Sequence, residues 1–217
     1  MIHHKYDIVA AMKQTIKHII FDIGNVLFKY NPTHIIECLT PKSKYKKFYL
    51  EQLFNSDYWQ HMDRGDMSLE KVKKKLTEKH HLTENEQNEI TTLVNNFTKH
   101  LILDNDMKHL FNTLNHRYNL YILSNFQSKP FQQLLKNNPF LTKAKGIVVS
   151  ANVMMKKPEI GIYHFLLSQY RLLPHECIFI DDMIDNIKTA KKLLIKTIHF
   201  KSSTQTIKEL ENYNITI

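Results

Sequence analysis

The sequence predicts an α/β fold, a Rossmann-like parallel sheet with helices on both faces and a small helical domain inserted after the first strand. Short apolar runs near residues 19, 120, 147, 178 and 197 are typical of buried strands, and helix-like patterns lie between them. Such alternation indicates a parallel sheet covered by helices. Between about 31 and 101 only helix-like patterns occur. We therefore assign 14–30 and 102–217 to a core domain, 31–101 to the helical domain and 1–13 to an N-terminal extension.

The first apolar run ends in a carboxylate. Residues 19–21 are too few and too β-branched for a helix, so they predict a buried strand that closes at Asp22, and Gly24 and Asn25 then form a turn. Open α/β sheets bind their ligands at the carboxyl ends of the strands, which makes Asp22 a candidate catalytic residue. An aspartate that only caps the turn is the structural alternative.

Two later runs are followed by residues suited to binding an anion. Ser124 and Asn125 follow the strand predicted at 120–123; both are good helix N-caps, and a hydroxyl beside the N–H groups of a helix start also binds phosphate oxygens. Lys157 follows the strand predicted at 147–150 and precedes a helix predicted at 160–170. A lysine there can bind a phosphate or a carboxylate as a point charge, although a surface turn explains the same residues.

The run at 177–180 ends in the pair Asp181 and Asp182, with Asn186 just beyond. Adjacent carboxylates at a strand end repel each other unless a cation is bound. This pair is the strongest single indication of a metal site in the sequence.

The helical block contains one segment with a possible functional role. Helices or helix-like spacing are predicted at 34–55, 68–79 and 84–101. The segment 58–65 is aromatic and mixed in charge, as at the end of a core helix, where Trp59 would be half-buried. The functional alternative is that His61 or Arg64 overhangs a substrate.

Composition narrows the class of protein. With 217 residues, of which 42% are hydrophobic and 24% are charged, the chain has the composition of an ordinary globular protein. Its low glycine content (Gly 4) and the absence of a GxGxxG loop argue against dinucleotide binding. Lys+Arg 30 against Asp+Glu 21 gives a net charge of +9, which suits an anionic partner. Because the lysines are scattered and no nucleic-acid module surrounds them, we expect a solvated basic surface and no nucleic-acid partner.

Cysteine usage and hydropathy predict a cytoplasmic location. Cys38 and Cys177 lack C-x-x-C spacing, and the sequence shows neither a secretory leader nor a long apolar span, so we expect reduced thiols and no membrane partner. Residues 1–13 carry a His-His pair, and the native chain could start at Met12. Both a monomer and a homodimer are compatible with the sequence.

Taken in order, the segments FDIGNV, LSN, KKPEIGIY and FIDDMIDN resemble the four motifs of the haloacid dehalogenase-like superfamily of hydrolases. The resemblance covers about 16–200, and the block at 31–101 is similar to the small cap domain that many members insert after the first motif. The patterns D-x-G-N-V, KPE-x-x-IY and DD-x-x-DN further resemble sugar-phosphate phosphatases acting on α-D-glucose 1-phosphate. This implies a phosphatase whose partner is a small phosphorylated metabolite.

The resemblance also implies roles for residues. Asp22 would be the nucleophile that forms an aspartyl phosphate, and Lys157 would neutralise charge as a second catalytic residue and bind the substrate. Ser124 and Asn125 would bind phosphate oxygens. Independently of the resemblance, we expect Arg64 of the segment 58–65 to contact the substrate.

A Mg²⁺ ion is the implied cofactor. Its ligands would be the carboxylates of Asp22, Asp181 and Asp182 and the backbone carbonyl of Gly24, an all-oxygen set that suits Mg²⁺.

The sequence departs from the family at Gly24, where most of these phosphatases carry a second aspartate as general acid and base. Losing a general acid typically costs about 10²–10⁴-fold in rate, so either the enzyme is slow, or water replaces the acid, or the substrate has an acidic leaving oxygen, as a sugar 1-phosphate does. A smaller departure is Leu194, at a position where members of the family usually carry glycine. It bears on the conformation of a turn and not on the chemistry. Two alternatives stay open: a binding or regulatory protein that lost turnover through Gly24, and a metal-free 2-haloacid dehalogenase, which Asp181 and Asp182 disfavour.

Overall fold

A computed structural model of the protein describes residues 15–217. The expected N-terminal extension at 1–13, including a start at Met12, lies outside the described residues. Along 15–217, no helix combines the length and the apolar character needed to cross a membrane.

The core is a parallel five-stranded sheet in the order β5-β4-β1-β6-β7, which confirms the predicted fold class. Its strands, together with the two short strands β2 and β3 outside it, are β1 His18–Phe21, β2 Phe28–Lys29, β3 Ile102–Leu103, β4 Asn119–Ser124, β5 Gly146–Val149, β6 Cys177–Asp181 and β7 Lys196–His199. Strand β1 is central and pairs with both β4 and β6. Side chains alternate across it: Ile19 and Phe21 belong to one buried cluster and Ile20 to another, so both faces of the sheet are covered.

The helices fall into two groups, before and after β3. Those before it are α1 Pro32–Leu39, α2 Lys46–Tyr49, α3 Asp57–Arg64, α4 Leu69–His80 and α5 Glu84–Asn96. Those after it are α6 Asn105–Leu114, α7 Ser128–Asn137, α8 Ser150–Val153, α9 Ile160–Gln169, α10 Ile184–Lys192 and α11 Ser203–Asn212. The division into a core and a cap domain at 31 and 101 stays a prediction.

The helical block leaves and rejoins the core through a two-stranded antiparallel ribbon. Strands β2 and β3 pair Phe28 with Leu103 and Lys29 with Ile102, so the chain enters and leaves the block side by side. One hydrophobic cluster includes Trp59 from the block and Phe126 from the core. The block is therefore packed directly against the core, beside the residues that follow β4.

The helix at 34–55 is the one that differs most from the sequence prediction. Asn31 caps α1, its side chain accepting a hydrogen bond from the His34 N–H, and α1 then ends at Leu39. Pro41 follows in a turn and cannot supply the N–H that a continuing helix needs. The helix predicted to begin at Ser68 is confirmed, because its side chain accepts a hydrogen bond from the Lys71 N–H.

Gly65 fixes the end of α3 against the core, and Gly65→Ala is expected to destabilise the protein. Its φ is +87°, and a Cβ there would lie 2.4 Å from the carbonyl oxygen of Ala151. Left-handed strain alone costs about 1–3 kcal/mol, and the backbone clash adds to it. We expect the free energy of unfolding in urea to fall by about 2 kcal/mol or more. Gly24→Ala is the control, since a Cβ there has nothing within 4 Å, and an equal loss in both variants would contradict this account.

Candidate active site

The polar residues that end β1, β4 and β6 meet at one edge of the sheet. In register, Phe21 lies opposite both Ile122 and Ile180, so the residues that follow these positions come together. The Asp22 N–H donates to the Ile180 carbonyl at 3.0 Å, which extends the pairing of β1 and β6 by one residue. Asp22 and Ile180, which are more than 150 residues apart in the sequence, are thereby in direct contact.

Lys157 joins two of the carboxylates. Its Nζ lies 2.8 Å from Asp22 Oδ1 and 2.6 Å from Asp181 Oδ2, and all three side chains are buried. The Asn125 amide holds the lysine's backbone in place, because its Oδ1 accepts from the Lys157 N–H at 2.8 Å and its Nδ2 donates to the Lys157 carbonyl at 2.9 Å. The structure thus shows Asn125 as a residue that positions Lys157.

Asp181 is held by two further groups. Asn186 Nδ2 donates to both of its oxygens, at 2.9 and 3.0 Å, and the Met183 N–H donates to Oδ1 at 2.8 Å. The Tyr163 hydroxyl donates in turn to the Asn186 carbonyl at 3.1 Å. Asn186 therefore orients Asp181.

Three carboxylates surround one lysine. Oxygen atoms of Asp22, Asp181 and Asp182 all lie within 4.8 Å of one another. Burial raises the pKa of Asp22 to about 7; Lys157 opposes this shift, and the charges of Asp181 and Asp182 add to it. Negative charge in excess of the available cation and an all-oxygen donor set are what a hard divalent cation requires, so these residues fit Mg²⁺. Gly24 borders the same space.

A cavity of about 300 Å³ opens above this cluster, and one end of it is polar. That end is lined by Asp22, Gly24, Asn25, Ser124, Asn125, Lys157, Asp182 and Asn186. Ser124 is 1% exposed, and its hydroxyl has no hydrogen-bond partner among residues 15–217. A buried hydroxyl normally has a partner, so Ser124 is available for a ligand oxygen.

The other end of the cavity is aromatic. It is lined by Tyr30, Phe54, Trp59, Asp63, Phe97, Leu101, Phe126 and Met183, contributed by both the helical block and the core. The rings of Phe54 and Trp59 stack with centroids 4.4 Å apart, and Phe97 meets Trp59 edge-on at 5.1 Å. This end offers a ligand an apolar surface with one carboxyl group, that of Asp63.

Arg64 lies outside the cavity, so this placement does not support the predicted substrate contact. It pairs with Glu159 and with Asp66, and it borders a separate surface pocket together with His61, whose Nδ1 lies 2.8 Å from Asp66 Oδ1. The reason is helical spacing. Residues four apart share a helix face, so Asp63 shares the face of Trp59 and Arg64 points to the next face.

Asp63 is the cavity residue that the sequence analysis missed. Burial raises the pKa of its carboxyl to about 8, and interactions with Gln127, Lys156 and Trp59 offset only part of that shift. The four-residue spacing from Trp59 is the signal that could have identified it.

The end of α3 is fastened to the part of the core that carries Lys157. The Ser150 hydroxyl donates to the Asp63 carbonyl, and Lys156 Nζ donates to the Gln60 side chain at 2.6 Å. The Arg64–Glu159 ion pair adds a third contact. These contacts place the side chain of Asp63 in the same cavity as Lys157.

Comparison with known families and structures gives one dominant result. Residues 19–200 match the family model described as haloacid dehalogenase-like hydrolase. A HAD-family enzyme from Bacteroides thetaiotaomicron has a similar fold, with a TM-score of 0.69 at 23% identity over 86% of this chain and 94% of that chain. An L-2-haloacid dehalogenase from Xanthobacter autotrophicus superposes with a TM-score of 0.64 at 16% identity, covering 93% of this chain and 85% of that one.

Two curated fungal proteins match most of the chain. A sesquiterpene phosphatase of Aspergillus oryzae is 28% identical over 92% of this chain and 97% of its own length. A drimenol cyclase of Aspergillus calidoustus is 24% identical over 91% of this chain, which spans only 36% of the cyclase.

Proposed function

Because the chain belongs to the haloacid dehalogenase-like hydrolases, we propose that it is a Mg²⁺-dependent phosphatase that hydrolyses a small phosphomonoester. The observation that carries this proposal is the buried cluster in which Lys157 lies between Asp22 and Asp181, beside a hydroxyl of Ser124 that has no partner along 15–217. A nucleophile, a fixed cation and a free donor at one end of a cavity are the groups that phosphoryl transfer needs. The phosphatase similar to this chain supports the same activity.

In the proposed reaction an oxygen of Asp22 attacks phosphorus and forms an aspartyl phosphate, which water then hydrolyses. Lys157 neutralises charge shared by Asp22 and the transferring group, and the Ser124 hydroxyl donates to a phosphate oxygen. Asn125 and Asn186 keep Lys157 and Asp181 in position.

The proposed metal site comprises the carboxylates of Asp22, Asp181 and Asp182 and the Gly24 carbonyl. Bound there, Mg²⁺ would supply positive charge that orients the phosphate and stabilises its negative charge during transfer. Its preference for oxygen ligands and retained water matches a cluster that lies partly at the cavity rim, where Asp182 accepts from Asn25 Nδ2 at 3.2 Å.

The aromatic end of the cavity favours the phosphate ester of an apolar alcohol. A sugar presents several hydroxyls, and each loses free energy if it is buried without a partner. Among residues 15–217, the polar groups at this end are the Asp63 carboxyl, the Tyr30 hydroxyl and the Trp59 indole N–H, whereas Phe54, Phe97 and the ring of Trp59 offer apolar area. The sesquiterpene phosphatase relative is consistent with an apolar substrate.

A sugar phosphate such as glucose 1-phosphate is the second candidate. It rests on the sequence resemblance and on Gly24, since the anomeric oxygen leaves more easily than an ordinary alkoxide. Aromatic rings can also stack on a sugar, so Trp59 is compatible with either ester.

The test is phosphate release from three esters, a prenyl monophosphate, glucose 1-phosphate and glucose 6-phosphate, each with Mg²⁺ and with a chelator. We expect kcat/KM to be highest for the prenyl ester and lowest for the 6-phosphate, and every rate to be lost in chelator because the carboxylate cluster then lacks its counter-charge. A reversed order of the first two would favour the sugar. Turnover that persists without metal would contradict the Mg²⁺ dependence, and no turnover in any condition would contradict the phosphatase assignment.

A further inference from the structure

Asn25 lies in the turn between Asp22 and the ribbon that leads into the helical block. Its φ is +53°, in the left-handed region that asparagine adopts more readily than most residues. Its backbone N–H donates to the Phe28 carbonyl at 2.7 Å, which closes the turn on β2. Turn formation alone is one explanation of Asn25, and glycine would form the same turn at least as well.

The side chain of Asn25 uses both ends of its amide. Nδ2 donates to Asp182 Oδ2 at 3.2 Å, and Oδ1 accepts from the Tyr30 N–H at 3.0 Å. An amide is suited to this bridge because it carries a donor and an acceptor side by side, whereas a carboxylate would offer Asp182 a second acceptor. The bridge therefore connects a carboxylate of the proposed metal site with the chain just before α1.

The backbone and the side chain of Asp182 are held by different residues. Its carbonyl accepts from Nε2 of His199, at the end of β7, at 2.8 Å, and its carboxylate accepts from Asn25. The bond from His199 fixes where the Asp182 side chain begins but leaves its rotation free. The bond from Asn25 restricts that rotation, so it sets the direction of a carboxylate whose oxygen lies within 4.8 Å of those of Asp22 and Asp181.

At its other end the bridge holds Tyr30. The ring of Tyr30 lines the aromatic end of the cavity, and its centroid lies 6.3 Å from those of Trp59 and Phe97. Its hydroxyl is buried without a hydrogen-bond partner in the described part of the chain, so it is available to a ligand. A shift of the Tyr30 backbone would move this ring and hydroxyl with it.

We propose that Asn25 is a positioning residue that holds both ends of the active site in place: it sets the direction of the Asp182 carboxylate at the proposed Mg²⁺ site and keeps Tyr30 against the aromatic rings. The inference rests on the proposed phosphatase and its metal site. Residues that hydrogen-bond to metal ligands orient those ligands, and their loss typically costs about 10–100-fold in metal affinity.

Asn25→Gly removes the side chain without disturbing the turn, because glycine adopts a positive φ freely. The first measurement is the dissociation constant of Mg²⁺, obtained by titration calorimetry with no substrate present. We expect it to rise about 10–100-fold in the variant, since the Asp182 carboxylate is then free to turn away from the cluster.

The second measurement is the fluorescence of Trp59, the chain's single tryptophan. Trp59 is buried among the aromatic rings, so its emission reports on that end of the cavity in the absence of any ligand. In Asn25→Gly we expect emission at longer wavelength and faster quenching by acrylamide, because a Tyr30 ring that is held less firmly lets water reach the indole.

Asn214→Gly is the matched control. Asn214 has a φ of +59° in the turn after α11, and its side chain is exposed. The same substitution is therefore made at the same backbone conformation, at a residue that does not line the cavity. Both the Mg²⁺ affinity and the Trp59 emission should keep their wild-type values, and thermal unfolding of both variants checks that the fold is retained.

The outcomes separate this inference from the phosphatase assignment. If the wild type binds Mg²⁺ and releases phosphate but Asn25→Gly keeps either the Mg²⁺ affinity or the Trp59 emission, the bridge does not hold both ends and the inference is overturned. Tighter Mg²⁺ binding in Asn25→Gly would mean that Asn25 competes with the ion, and unfolding of the variant would assign the side chain to stability; each result overturns the inference. A wild type that neither binds Mg²⁺ nor releases phosphate would overturn the phosphatase assignment, and the role of Asn25 would fall with it.

Discussion

Asp22→Asn is expected to abolish phosphate release while the protein stays folded. The amide has the shape of the carboxylate but cannot form an acyl phosphate, and the neighbouring carboxylates of Asp181 and Asp182 are proposed to hold the metal ion. Removing a group that acts as the nucleophile costs about 10³-fold or more in kcat. Phosphate release and thermal unfolding, measured on the same preparation, check the two halves of this prediction.

Asp185→Asn provides the control for Asp22→Asn. Asp185 is exposed near the same cluster, and within residues 15–217 it pairs only with Lys188, at 2.9 Å along its own helix α10, so its loss should change neither rate nor stability measurably. Residual turnover above about a tenth of wild type in Asp22→Asn would exclude a nucleophilic role.

Lys157→Met should remove activity and also destabilise the fold strongly. Burial lowers the pKa of the lysine, but Asp181 and Asp22 raise it by more, so the ammonium stays charged between them. Its loss leaves two buried carboxylates without their cation, which typically costs about 3–5 kcal/mol. Urea unfolding in the presence of a chelator measures this loss without help from a bound metal.

Lys156→Met is the control for Lys157→Met. Lys156 is the preceding residue; its Nζ donates to the neutral side chain of Gln60, and its charge offsets only part of the effect of burial on the Asp63 carboxyl. We expect a change of about 0.5 kcal/mol or less. Comparable destabilisation by the two substitutions would mean that the ion pairs of Lys157 contribute little to stability.

The sheet could be predicted from sequence because its strands are short and apolar on both faces. The predicted runs 177–180 and 120–123 lie within β6 and β4. A parallel strand that is buried on both faces is a nearly continuous apolar run in the sequence, so it can be recognised there. The ribbon of β2 and β3 was not predicted. Two residues are too few for any periodicity, and their pairing depends on where the helical block returns the chain.

The polar end of the site was predictable for a related reason. Asp22 and Asp181 each follow an apolar strand directly, so the topology of a parallel sheet alone brings them together. The roles of Asn125 and Asn186 were less accessible, because a side-chain amide can bind a ligand or a backbone group equally well. Only the position of Lys157 and Asp181 beside them decides between these possibilities.

The aromatic end of the cavity was the least predictable part. Its residues come from several separate elements, so no sequence window contains the pattern. Within the segment 58–65 the sequence analysis proposed His61 or Arg64 as the substrate contact, whereas Arg64 pairs with Glu159, far along the chain. Helix spacing relative to Trp59 identifies Asp63 instead, once the buried face of α3 is known.

The ribbon of β2 and β3 also affects how the chain folds. To form the pair of strands β1 and β4, Ile19 must come into contact with Leu120, about 100 residues away along the chain. Once Lys29 has paired with Ile102, the helical block is a closed loop and the remaining separation is about 30 residues, which lowers the entropy cost of closure by about 1 kcal/mol. Folding that begins in the block and its ribbon would therefore form the sheet faster than folding that begins at β1, and substitutions in the ribbon would slow refolding more than they accelerate unfolding.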